Sequence, residues 1–191
     1  MKKETVIIVI IVTFVAGFLA GAISGIKFYA REHGGTAHVN MPVEGSSQPV
    51  STDEINRLEA IVRKEPKNAR ALVELGNLYF DSNQPQKAID AYERSLVLEP
   101  GNPDVRTDMG IMYRAVKDYD RAIKEFREAA RIDPGHRNSR FNLGVVLQND
   151  KKDLEGAVAA WEDFLKVEPP GERAETVKAE IQQLRRLLAN K

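Results

Sequence analysis

From residue 51 onward the chain shows apolar residues at helical spacing in short segments separated by polar turns. Segments 69–80 and 88–98 each place apolar residues three and four positions apart, which predicts two amphipathic helices. The intervening residues 81–85, Asp-Ser-Asn-Gln-Pro, are typical of a turn. Pro100 and Gly101 end the second segment, because proline cannot donate the next helical hydrogen bond. The pattern therefore predicts a pair of antiparallel helices.

This helix pair recurs along the chain with a period of 34 residues. Five columns of residues share the period, with one extra residue before the last member of some columns. They are Gly76, Gly110 and Gly144; Pro66, Pro100, Pro134 and Pro169; Ala88, Ala122 and Ala157; Ile89, Ile123 and Val158; and Tyr92, Phe126 and Trp161. The extra residue falls in the turn 148–156, where an insertion costs little. Small residues allow two helices to cross closely, and aromatic residues fill the space around the crossing.

These columns resemble the tetratricopeptide repeat family, whose 34-residue unit has a small eighth residue, an aromatic eleventh, alanine at twenty and proline near thirty-two. The resemblance implies an all-α fold, an α-solenoid of antiparallel helix pairs. Repeats are expected at 69–102, 103–136 and 137–170, the third with Leu147 in place of the expected tyrosine. A half-repeat helix is expected within 52–68 and an amphipathic capping helix within 171–191.

The resemblance also implies a concave groove lined by the first helix of each pair, suited to a peptide or helix of a protein partner. The family's groove positions correspond here to Arg70, Val73, Glu74, Asn77, Phe80, Asp81, Asp104, Thr107, Asp108, Ile111, Arg114, Ala115, Asn138, Phe141, Asn142, Val145, Gln148 and Asn149. Phe80, Ile111, Phe141 and Val145 are candidate apolar anchors, with the alternative that Phe80 and Phe141 pack on neighbouring helices.

Some family members clamp a C-terminal carboxylate with Lys, Asn and Arg at fixed groove positions. Only Asn77 fits that pattern here, whereas Val73, Asp108 and Asn142 occupy positions where Lys, Asn and Arg are needed. A receptor for a chaperone tail of that kind is therefore not expected.

The N-terminal part has a different composition. The 22 residues between Glu4 and Lys27 carry no charge and would span roughly 33 Å as a helix, so residues 1–26 are predicted to be a transmembrane anchor. Ala20-Gly21-Ala22 leaves signal-peptide cleavage open, although the apolar stretch is longer than a usual secretory signal. Residues 27–51, rich in Gly, Pro and Ser, are predicted to be a flexible linker.

Small residues recur along this anchor every four positions. We predict that Gly17, Gly21 and Gly25 form a face on which a second helix can pack closely. Such a face would support a homodimer, with the alternative that these residues simply contact lipid.

Charge and composition exclude several classes of function. Lys and Arg total 28, as do Asp and Glu, so there is no basic field for nucleic acid, and the lack of cysteine removes disulfides, thiolate metal sites and cysteine nucleophiles. Neither a nucleophile with an adjacent base nor a convincing metal-ligand set is found, so we expect no enzyme activity, no metal and no cofactor. The carboxylates Asp118, Asp120, Asp150 and Asp153 are expected to cap helices or lie in turns.

Together these observations predict a single-pass protein of a membrane, such as a bacterial inner membrane with the repeats in the periplasm, that acts as an adaptor for a protein or peptide segment. The alternative is a permanent structural or assembly subunit of a larger membrane complex. The layout resembles that of membrane-anchored repeat proteins of cytochrome c maturation, which implies a role in assembling an envelope or respiratory complex.

Overall fold

The computed structural model describes residues 51–190 and places eight α-helices there, with no strand. The helices are α1 (Thr52–Lys64), α2 (Ala69–Asp81), α3 (Pro85–Leu98), α4 (Pro103–Ala115), α5 (Tyr119–Ile132), α6 (Arg137–Val146), α7 (Leu154–Leu165) and α8 (Glu172–Ala189). Each helix packs on the next, so α2 with α3, α4 with α5 and α6 with α7 form three consecutive hairpins. This arrangement confirms the predicted all-α solenoid.

Side chains at the turns fix where the helices begin. Asn68, Asn102 and Asp118 each accept a hydrogen bond from the backbone N–H three residues later, as Asp153 does before α7. Each satisfies one of the N–H groups that the first turn of a helix leaves without an internal partner. The predicted capping role of Asp118 and Asp153 is confirmed.

The glycine column faces the aromatic column within each hairpin. A Cβ placed on Gly76 would lie 2.5 Å from Tyr92 Cε1, and one on Gly110 would lie 2.6 Å from Phe126 Cε1. On Gly144 it would lie 2.6 Å from Cε2 of Trp161 and closer still to Nε1. Glycine is thus required because the aromatic ring of the second helix rests directly on the backbone of the first.

A second periodic contact links successive hairpins. The hydroxyl of Tyr79 in α2 donates to Glu59 in α1, and the hydroxyl of Tyr113 in α4 donates to Glu93 in α3. Burial, together with these contacts, raises the pKa of each tyrosine to about 12. The next junction lacks the pair, because Leu147 replaces the tyrosine.

The third hairpin absorbs its extra residue in the helix and not in a loop. Leu147–Lys151 forms a π-helical turn that continues α6, and the Leu147 carbonyl accepts from the N–H of Asp153, six residues on. In the first two hairpins the corresponding bonds run five residues, from Gln84 to Tyr79 and from Asp118 to Tyr113. The insertion is therefore accommodated as a local change of helix type.

These turns share a left-handed residue. The backbone φ is 54° at Asn83, 64° at Lys117 and 58° at Lys152. Such a residue closes the C-terminus of the first helix and reverses the chain. Asn adopts this conformation more readily than Lys, so the second and third turns carry more backbone strain than the first.

The terminal helix α8 covers the end of the solenoid with Ala174, Val177, Ile181 and Leu184, all buried. Within residues 51–190, no helix combines the length and the apolar character needed to cross a bilayer. The predicted anchor 1–26, its glycines Gly17, Gly21 and Gly25, and nearly all of the linker 27–51 lie outside the described residues.

Candidate functional site

The first helices of the three hairpins, α2, α4 and α6, carry the residues expected to line a groove. We call the surface formed by their side chains "the groove". Most of these side chains are exposed or half-buried, and the half-buried ones are Val73, Asn77, Phe80, Asp108, Arg114, Asn138, Phe141, Asn142, Val145 and Gln148. Arg70, Glu74, Asp81, Asp104, Ala115 and Asn149 are exposed.

Two of the expected groove residues belong to the core. Thr107 is 3% exposed and its hydroxyl donates to the Pro103 carbonyl, while Ile111 is 8% exposed. The expectation that Ile111 presents an apolar anchor is thereby corrected. Both side chains turn inward because α4 packs against helices on both sides, α3 before it and α5 after it, and also contacts α6.

The two phenylalanines have different surroundings. Phe141 packs on Phe164 of α7 with ring centroids 5.6 Å apart, and the Arg173 guanidinium of α8 lies 4.8 Å from each ring centroid. Phe141 thus holds the terminal helix, in keeping with the alternative that it packs on neighbouring helices. Phe80 is half-buried at the end of α2 and packs against the edge of the core.

The groove amides take part in internal hydrogen bonds. Asn77 Oδ1 accepts from the Tyr92 hydroxyl at 2.8 Å, and Asn142 Nδ2 donates to the Asn138 carbonyl at 2.9 Å. Gln148 Nε2 donates to Glu180 of α8 at 2.6 Å. The bond to Tyr92 uses the oxygen of Asn77, so its amide group is held with a fixed orientation.

The arginines of the groove are neutralised within the chain. Arg70 pairs with Glu74 at 2.9 Å on α2, and Arg114 of α4 pairs with Asp150 of the π turn at 2.5 Å. Asp150 was expected to lie in a turn or cap a helix; it lies in the π turn, and from there it links the third hairpin to the second. Because both arginines are paired with carboxylates, neither adds an uncompensated positive charge to the groove.

Carboxylates converge where α2 ends and α4 begins. Burial, with the charges of Asp104 and Asp81, raises the pKa of Asp108 to about 8. The charges of Asp108 and Asp81 also contribute to the raised pKa of Tyr92, of which burial is the largest cause. The hydrogen bond from His136 lowers the pKa of Asp104.

His136 has a role that the sequence pattern did not reveal. Its Nδ1 accepts from the Ser139 N–H at 3.3 Å and so caps α6, while Nε2 lies 3.0 Å from Asp104 Oδ1. The neutral ring with its proton on Nε2 satisfies both contacts. His136 occupies the same repeat position as Asn68 and Asn102, which cap the first helices of the two preceding hairpins. This equivalence was the signal in the sequence from which its capping role could have been predicted.

Both family models and solved structures of other proteins support the fold. Two family models described as "Tetratricopeptide repeat" match residues 69–102 and 107–172, which together make up more than half of the chain. No match is found among the sequences of curated proteins.

Several solved structures share the architecture. A crystal structure of MamA has a TM-score of 0.64 at 20% identity, covering 70% of this chain and 77% of that one. The first tetratricopeptide domain of Spaghetti (RPAP3), bound to the HSP90 peptide SRMEEVD, has a TM-score of 0.57 at 25% identity, covering 63% and 93%. The tetratricopeptide domain of Arabidopsis OM64 has a TM-score of 0.55 at 17% identity, covering 60% and 94%. These structures show the same fold, and the matched repeats show that the chain belongs to the tetratricopeptide repeat family.

Proposed function

We propose that this protein is a membrane-anchored adaptor that holds a segment of a protein partner in the groove. The observation that carries the proposal is the surface of α2, α4 and α6, where half-buried apolar side chains lie beside oriented amides and carboxylates. An extended or helical segment needs this mixture, with apolar contacts for affinity and polar contacts for register. The similar domain of Spaghetti is bound to a peptide, which supports the same use of the fold.

The anchor is proposed from the sequence of residues 5–26, which are uncharged and long enough to span a bilayer. Attachment would confine the repeats to a layer above the membrane and raise the effective concentration of a membrane-bound partner. A location in a bacterial inner membrane with the repeats in the periplasm, and a role in cytochrome c maturation or another assembly process, remain predictions.

Crosslinking and affinity capture from native membranes test this function, with Phe80→Ser as the variant. Phe80 is half-buried in the groove, so the change should reduce partner capture several-fold. Val97→Ser is the matched control, because Val97 is 82% exposed and lies on α3, outside the groove. Urea unfolding of both variants separates lost binding from lost stability.

The stoichiometry of capture decides between the two functions under consideration. A partner that is substoichiometric and displaced by competitor indicates an adaptor. A complex of fixed ratio that survives detergent and is unaffected by Phe80→Ser would contradict the adaptor and support a permanent subunit.

A further inference from the structure

An open cleft lies where the third hairpin meets the second, outside the groove. It has a volume of about 820 Å³, and none of its lining residues belongs to the groove. Leu147 and Ile123, which are largely buried, form its apolar part, and the rest of the lining is charged. Sites for small molecules typically have volumes of about 300–1,000 Å³, so the cleft is large enough for such a ligand.

The cleft occurs where the periodic contact between hairpins is lost. At the first two junctions a tyrosine hydroxyl donates to a glutamate 20 residues earlier, as Tyr79 does to Glu59. At the third junction these two positions hold Leu147 and Arg127. The corresponding cleft at the first junction, which Tyr79 and Glu59 line, has a volume of about 470 Å³. The third junction therefore lacks both the ring and the carboxylate, and a cation stands in place of the acid.

Every carboxylate that lines the cleft already has a partner within the chain. The partners are Arg106 for Glu125, Lys151 for Asp120, Arg131 for Glu128 and the Gly156 N–H for Asp153. Two lining cations, Lys124 and Arg127, form no ion pair and no hydrogen bond with any residue in the part of the chain that the structure describes. The hydrogen bond from Arg131 is the largest cause of the lowered pKa of Glu128, and Lys124 adds only its charge. The cleft thus contains two cations that no acid of the described chain neutralises by direct contact.

These two cations are suited to a compact anion with more than one negative charge. Lys124 and Arg127 are three residues apart on α5, so their side chains leave neighbouring points of the same helix face. A phosphate monoester carries a charge of about −1.5 to −2 at neutral pH and three acceptor oxygens, whereas a carboxylate would neutralise only one cation. A guanidinium group can also donate two parallel hydrogen bonds to phosphate.

We propose that this cleft binds a small phosphate monoester with a compact apolar body. Its phosphate lies between Lys124 and Arg127, and its apolar part contacts Leu147, where the other junctions have a tyrosine ring. The ligand thereby supplies the ring and the negative charge that the third junction lacks. The site is separate from the groove, so the inference does not depend on the proposed function.

Phenyl phosphate is the probe, because it combines a ring of the size of the missing tyrosine with a phosphate monoester. Isothermal titration calorimetry of the full-length chain in a nonionic detergent, in Tris chloride at about pH 7.5, measures its binding. We expect phenyl phosphate to bind about tenfold more tightly than inorganic phosphate, which lacks the ring, and than benzoate, which has a single charge. Equal binding of inorganic phosphate would show only a cationic surface and overturn the inference, as would no binding of phenyl phosphate up to about 10 mM.

Arg127→Gln locates the site. It should weaken binding of phenyl phosphate by about fivefold or more, whereas Arg186→Gln, on the exposed surface of α8, should leave it unchanged. Equal losses in both variants would indicate general attraction between charges and contradict the site. Because Arg127 has no direct partner in the described chain, urea unfolding of Arg127→Gln should match that of the unmodified protein, which separates lost binding from lost stability.

A double variant places the residues of the other junctions at the third one. Leu147→Tyr with Arg127→Glu should fill the cleft, restore the contact between hairpins and abolish binding of phenyl phosphate, with the helical circular dichroism signal retained. If this variant binds normally, the cleft is not the site and the inference is wrong.

A phosphotyrosine peptide tests a partner protein as the occupant instead of a small molecule. If an end-blocked pentapeptide with central phosphotyrosine binds more than about tenfold more tightly than phenyl phosphate, and Arg127→Gln removes that preference, the small-molecule inference is wrong. Phe80→Ser should leave binding of phenyl phosphate unchanged, so failure at this cleft and failure of the groove are distinguishable. Loss of phenyl phosphate binding in folded Phe80→Ser would place the ligand in the groove and overturn the inference.

Discussion

The substitution Gly144→Ala tests the packing on which each hairpin depends. The added methyl group would lie 2.6 Å from Cε2 of Trp161, whereas the optimal van der Waals separation of two carbon atoms is about 3.5–4.0 Å. The indole has little room to move, because Trp161 is 4% exposed and its Nε1 donates to the Phe141 carbonyl at 3.1 Å. The ring must therefore shift by about 1 Å or α6 must separate from α7.

The size of the effect follows from three contributions. Overpacking of a filled core costs about 1–3 kcal/mol. Weakening the buried hydrogen bond of Trp161 adds about 1 kcal/mol or more. The better helix propensity of alanine returns about 1 kcal/mol. We expect Gly144→Ala to lower the free energy of unfolding by about 1–3 kcal/mol.

Urea unfolding monitored by fluorescence suits this variant, because Trp161 is the only tryptophan in the chain and reports on the substituted contact itself. Circular dichroism on the same samples follows the helices together. Gly101→Ala is the matched control, since a Cβ there meets no atom within 4 Å. If the two variants differ by less than about 0.5 kcal/mol, or if the emission of native Trp161 does not change, the ring does not require glycine at this position and the packing argument is wrong.

Four other changes test separate parts of the structure. Gly110→Ala should destabilise by about 1–2 kcal/mol, less than Gly144→Ala, because the Phe126 ring has no hydrogen bond to lose; equal effects in urea unfolding would contradict this. Lys152→Gly, at φ 58°, should stabilise by about 0.5–1 kcal/mol in the same assay, and destabilisation would show that its left-handed backbone is not strained. The pKa of Asp108 is higher in the folded state than in the unfolded state, so the folded state binds more protons. The free energy of unfolding should therefore fall from about pH 4 to pH 8, by up to about 1.4 kcal/mol per pH unit. Asp108→Asn should remove this pH dependence, and an unchanged dependence in urea titrations would refute the prediction. Phe141→Ala should destabilise α8 and speed amide exchange there, since Phe141 contacts both Arg173 and α7, and unchanged exchange would place Phe141 outside that junction.

The helix pairs could be predicted because each rests on local signals that repeat. In the first two repeats, the glycine at position eight contacts the aromatic residue sixteen positions later. The shared period of these two residues therefore indicated a real contact between the two helices. The pairing of Tyr79 with Glu59 carries the same kind of signal, since Glu93 stands 34 residues after Glu59.

The site was less predictable, because exposure depends on the neighbours a helix acquires on folding. Thr107 and Ile111 occupy positions that are open in an isolated hairpin, and packing on both sides of α4 buries them. The environment of Asp108 likewise includes Asp81, which is 27 positions earlier in the sequence, and Tyr92, which is 16 positions earlier. No local pattern reports such an environment.

The π turn makes the solenoid mechanically uneven. By extending α6, it brings Asp150 to Arg114 and Lys151 to Asp120, which ties the third hairpin to both helices of the second. Because nearest-neighbour coupling sets how far unfolding spreads through a repeat array, the second and third hairpins should melt as one block, and fraying should start from the first. If the groove holds a partner segment as proposed, the second and third hairpins would be its stiffer support, and the first hairpin, nearer the N-terminus, would unfold first under tension.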